Sequence, residues 1–148
     1  MKISENLLRQ LISDNHINLT KSETDILIRI NLSRAQINEI LQGLCNGLSF
    51  NDIILYLDST LSKNKMKQIR LGLEMGLGLK VLHYNKSIYN HDQMRSLRWL
   101  LTIGVSNDHI SIVKNPSYNY KQMFILGIAL QMCIIYIAPL ASIFKVIP

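Results

Sequence analysis

Lys65-Met66-Lys67-Gln68-Ile69-Arg70-Leu71-Gly72-Leu73-Glu74-Met75-Gly76-Leu77 carries an apolar spacing that returns before and after it. Ile37, Met66, Met94 and Met123 are separated by 29, 28 and 29 residues. Three residues on from each stand Ile40, Ile69, Leu97 and Leu126, and seven on stand Leu44, Leu73, Leu101 and Leu130. Ten on come Gly47, Gly76 and Gly104, with Cys133 in the last copy. Offsets 0, 3 and 7 share one face of a helix, and glycine at offset 10 ends it. Four residues before the anchors stand Ser33, Ser62, Asn90 and Asn119, all good N-cap types. Gln36, Gln93 and Gln122 complete capping boxes, whereas the second copy has Lys65. A helical unit too small to bury its own face, recurring at this period, predicts an all-α, α-solenoid-like stack of four to five helical hairpins with degenerate terminal caps.

The spacing predicts one domain over 1–148, with units at 1–31 (a cap), 32–60, 61–88, 89–117 and 118–148 (an apolar cap). The first helix is expected over Glu5 to Ser13, capped by Ser4, as a drifted first copy. Ser22-Glu23-Thr24-Asp25 predicts a capping box for a short helix through Ile30, and Ser49-Phe50-Asn51-Asp52 one for a helix through Leu57. Each unit thus pairs a longer helix with a shorter one. Leu77 to Tyr84 reads as a short helix or an extended piece, and stacking favours the helix. The third short helix is expected over Asn107-Asp108 to Val113, ended by Pro116.

A chain of 148 residues can bury a single core. The net charge is +6, unevenly spread: residues 1–58 carry five Lys/Arg against seven Asp/Glu, and residues 59–148 carry eleven against three. The later part would face an acidic partner more readily. Cys45 and Cys133 lie in helical patterns at inward-leaning positions, which predicts buried free thiols in a reducing cytoplasm. The start of the sequence is not expected to act as a secretory leader, since Arg9 and Asp14 interrupt its amphipathic stretch.

Met123 to Phe144 has Gln131 as its only strongly polar side chain, long and apolar enough for a membrane span. Three features favour a closing core helix followed by a buried short segment. The apolar register continues through Leu130, Asn119 and Gln122 cap the start, and Pro139 is expected to break a single helix. A docking or self-association surface is the third role open to it.

Gln68 to Leu77, with the weaker Gln93-Met94-Arg95-Ser96-Leu97-Arg98 and Tyr120-Lys121-Gln122-Met123, resembles a short helical-hairpin repeat of the form QM..IR.GLE.GL. That repeat occurs in tandem in bacterial proteins, often ones carried on mobile elements and phages. The resemblance covers residues 32 to 135, with Leu100 in place of the Gly72 position. It implies an interaction array and brings no activity or cofactor.

Catalytic signals are absent from the sequence. His16, His83, His91 and His109 share no helical face with one another or with a cysteine, so no metal is expected. Gly72, Gly76 and Gly78 lack the Lys-Ser/Thr of a phosphate loop, and no nucleophile motif occurs, so neither a cofactor nor an enzyme is expected. The basic cluster is the functional lead. Lys67 and Arg95 hold the first offset, and Arg70 and Arg98 the fourth. Stacked helices would align them as a ladder, with Lys63, Lys65 and Lys80 nearby and Trp99 beside Arg98. The bland alternative is a solvated face that keeps the array soluble. The ladder suits an acidic protein surface or nucleoprotein complex, as for an anti-CRISPR-like inhibitor of a host defence complex. The alternatives are a nucleic-acid-binding regulator, which the apolar short segments disfavour, and a membrane-tethered adaptor.

Overall fold

In the computed structural model, which describes residues 4–85 and 88–144 with side chains placed as far as residue 133, every regular element is helical and no strand occurs among the described residues. The chain divides into two compact units, Met1–Ser87 and Ile88–Pro148. The first holds α1 (Glu5–Asp14), α2 (Lys21–Arg29), α3 (Arg34–Cys45), α4 (Phe50–Ile54), α5 (Lys63–Glu74) and a 3-10 helix (Gly78–His83). The second holds α6 (His91–Thr102), α7 (Asn107–Val113) and α8 (Tyr120–Phe144).

The long helices begin and end as their residues dictate. Ser33, Ser62 and Asn90 accept the N–H three residues on, and Gln36 and Gln93 return the bond to the cap N–H. Asn119 and Gln122 exchange the same pair of bonds at the start of α8. At the other end, Gly47, Gly76 and Gly104 have φ of 91°, 78° and 87°, a region that costs glycine nothing. Each makes the two bonds of a Schellman turn. Gly76 N–H reaches Leu73 O at 2.9 Å and Leu77 N–H reaches Gly72 O at 3.0 Å. The four anchors Ile37, Met66, Met94 and Met123 are all fully buried, with Ile40, Ile69 and Leu97 beside them. In α8 the stripe weakens, because Leu126 and Leu130 are only half-buried.

The short segments pack on the long helices through a paired substitution. Space beside Gly43 and Gly72, both at offset 6, is taken by the hydroxyls of Tyr56 and Tyr84. Those hydroxyls donate to the carbonyls of Glu39 and Gln68, both at offset 2. In α6 the same offset holds Leu100, and Val113 stands where a tyrosine would be. Leu100 instead packs against Gly127 of α8.

The box glutamines have a second job. Gln36 donates its free N–H groups to Ser59 O and Leu61 O, and Gln93 donates to Pro116 O and Tyr118 O. Both therefore hold the strand of chain that leads into the next long helix.

Several expectations change. α2 is capped by Thr20 with Glu23, not by Ser22, because two overlapping boxes fit the sequence and Thr20 closes both bonds. α4 stops at Ile54, and turns carry the chain on to Leu57. Of the two readings of Leu77 to Tyr84, the favoured helix is the one found, as a 3-10 helix over Gly78–His83. α8 runs on through Pro139 to Phe144, where the flanking Ala138, Leu140 and Ala141 are strong helix formers that favour continuing the helix. No buried short segment follows it among the described residues. Cys45 and Cys133 are exposed thiols rather than core residues. Cys45, at offset 8, lies a step outside the apolar stripe, and Cys133 takes an offset where α8 continues instead of closing. Among the described residues no helix is long and apolar enough to cross a membrane, and the later part of Met123 to Phe144 lies outside the residues whose side chains are described.

Replacing Gly72 by Ala tests the paired packing. Helix propensity alone would stabilise by about 1 kcal/mol. A Cβ there overlaps the Tyr84 hydroxyl, so urea unfolding should instead show a loss of about 1–3 kcal/mol. Adding Tyr84→Val, toward the third copy's pattern, should recover part of that loss.

Candidate functional site

On an α-helix, offset 4 lies about 40° from offset 0, at the edge of the stripe made by offsets 0, 3 and 7, whereas offsets 1 and 5 lie about 100° and about 140° from offset 0, well outside it. Arg70 and Arg98, at offset 4, are accordingly buried, at 3% and 5% exposure. Lys67 and Arg95, at offset 1, are exposed, as is Trp99 at offset 5. The expected four-residue basic ladder therefore does not exist as a solvent face, because two of its guanidinium groups point into the packed interior. Lys63 and Lys80 are exposed and Lys65 is half-buried, all three in the first unit with Lys67.

Arg70 has a structural task. Its Nε donates to Glu39 at 3.0 Å and its Nη1 to Glu74 at 2.7 Å, tying α3 to α5, and Asn46 Nδ2 adds a bond to Glu74 at 2.9 Å. Burial opposes the guanidinium charge. The hydrogen bonds and charges of Glu74 and Glu39 outweigh it, and the group's pKa rises above its ordinary value. Nearby, burial pushes the Tyr56 hydroxyl well above its ordinary value of 10.0; Arg70 opposes this, and Glu74, Glu39 and Asp52 reinforce it. Sequence did carry a hint, since Arg70 and Glu74 stand at i, i+4.

In the second unit, Arg95 and Trp99 do come together. With Ser96 on α6 and Tyr120, Lys121, Phe124 and Ile125 on α8 they line one open groove. Ser96 Oγ fixes its floor by donating to Tyr120 O at 2.9 Å. Arg95 and Lys121 lie over the Tyr120 ring, at 5.8 and 5.9 Å from its centre. Arg95 also pairs with Asp92 at 3.1 Å. Trp99 is 48% exposed, Phe124 40% and Ile125 68%, so the groove presents large apolar side chains to solvent with two cations at its rim. Tyr120 and Lys121 are site residues that the charge pattern missed, and their adjacency to Phe124-Ile125 one helical turn on was the available signal.

A second concavity, in the first unit, runs from Asn15 to Leu19 and from Leu44 to Phe50. It holds Cys45 and His16, the latter at φ 53°. No cluster of three metal-ligating side chains occurs among the described residues. No family model matches the chain, and no curated protein or solved structure matches it.

Two variants check the electrostatics. Arg70→Met strands Glu39 in the interior and should cost about 3–5 kcal/mol in urea unfolding; the Glu39→Met/Arg70→Met pair should regain much of it. Tyr56 contributes stability that is fully present below the unfolded tyrosine pKa, and it is lost as pH rises above about 10, by up to about 1.4 kcal/mol per pH unit. Tyr56→Phe should remove that share of the alkaline slope, at a neutral-pH cost of about 1 kcal/mol for its bond to Glu39 O.

Proposed function

We propose that this chain is a non-enzymatic binding protein, a stack of helical hairpins that docks on a macromolecular partner through the α6–α8 groove. The observation that carries this is the grouping of Trp99, Tyr120, Phe124 and Ile125 at one surface with Arg95 and Lys121 at its edge. Aromatic and aliphatic anchors surrounded by polar groups are the composition of binding hot spots. The rim charge, within a chain of net charge +6, favours an acidic protein or nucleoprotein complex. The likeness of the helical repeat to those of mobile-element and phage proteins supports a narrower form, a cytoplasmic inhibitor of a host defence complex.

Site-specific photocrosslinking tests the docking surface. A photoreactive residue at position 125 should capture one discrete partner in cells expressing the chain, insensitive to nuclease. The same residue at position 112, exposed on α7 outside the groove, should not capture it. Equal capture from both positions, or none from 125, would overturn the assignment.

A further inference from the structure

We infer that the groove takes an amphipathic helix from an acidic protein, with apolar side chains against Trp99 and Ile125 and a carboxylate at Arg95 and Lys121. This rests on the docking proposal above and names its partner's chemistry. Two helices packed side by side leave a trough along their length, and here its walls come in helical steps: Arg95 and Trp99 on α6, Tyr120, Phe124 and Lys121, Ile125 on α8. A helix with apolar residues at i, i+3, i+4 and i+7 fills such a trough.

Charge selects among occupants. Arg95 and Lys121 crowd a single tyrosine ring, and Asp92, shared between Arg95 and His91, offsets one of the two cations, so the rim keeps an excess positive charge that an incoming carboxylate would neutralise. A second copy of α8 is a poor match, because Tyr120 to Phe144 contains no acidic residue. Single-stranded nucleic acid is also a poor match. Bases stack on π-faces, whereas the most exposed wall here is the aliphatic Ile125, and two rim cations offer few phosphate contacts.

Trp99 is the chain's single tryptophan and reports occupancy directly. The probes are a synthetic amphipathic peptide with leucines at i, i+3, i+4 and i+7 and glutamates on the flanks, its isomer with lysines for the glutamates, and an oligodeoxythymidine. The glutamate peptide should give a saturable blue shift of Trp99 emission. The lysine isomer should bind at least about tenfold more weakly, Arg95→Glu should weaken the glutamate peptide by a similar factor, and Ile125→Asp should abolish its binding with helix content unchanged. Equal binding of the two peptides, a shift produced by the oligonucleotide, or a shift on raising the chain's own concentration would each overturn the inference. A partner captured from position 125 with no shift from the glutamate peptide would overturn it too, and would leave the docking proposal standing.

Discussion

A helix of twelve residues with one apolar stripe is not stable alone in water, and in this chain its cover comes from segments of only five to seven residues. So little chain can bury so much surface only by approaching closely. Gly43 and Gly72 allow that approach, and Tyr56 and Tyr84 use it to fill the gap while finding a backbone carbonyl for each hydroxyl. The Schellman turns serve the same end, reversing the chain within two residues so that the cover begins at once. Where Leu100 and Val113 replace the Gly–Tyr pair, the packing passes to Gly127 of α8, the helix that supplies one wall of the groove.

A single helical step separates structure from recognition among the cations. At offset 4 the guanidinium of Arg70 is held by two carboxylates inside the first unit, whereas at offset 1 Arg95 leans over an exposed tyrosine in the second. Removing the first should read out as stability and removing the second as binding, so the two kinds of arginine are separable by mutation although both contribute equally to net charge.

The parts of the fold that depend on neighbours in sequence were legible. Caps at Ser33, Ser62, Asn90 and Asn119, the ends at Gly47, Gly76 and Gly104, and the first six inward residues at offsets 0 and 3 all follow from local chemistry. What depends on distant partners was not. Glu39 and Arg70 are 31 residues apart, and no local pattern marks them as a pair. Thr20 and Ser22 offered equal local caps, and only the folded chain decides between them. Of the groove, only Arg95 and Trp99 on the α6 wall were visible. Tyr120, Lys121, Phe124 and Ile125 stayed hidden in a stretch whose hydrophobicity spoke first of burial.

The two bonds that Gln36 makes ahead of itself span 23 and 25 residues, and those of Gln93 span the same 23 and 25. Each carboxamide thus works as a ruler. An insertion or deletion anywhere between its ends would leave a donor buried without an acceptor. Both copies that carry the ruler run 29 residues from anchor to anchor, and the copy that has Lys65 in its place runs 28. The 29-residue spacing and the reach of 23 and 25 residues go together in both Gln copies, so the side chain that caps each of these helices also fixes the length of the link that follows it.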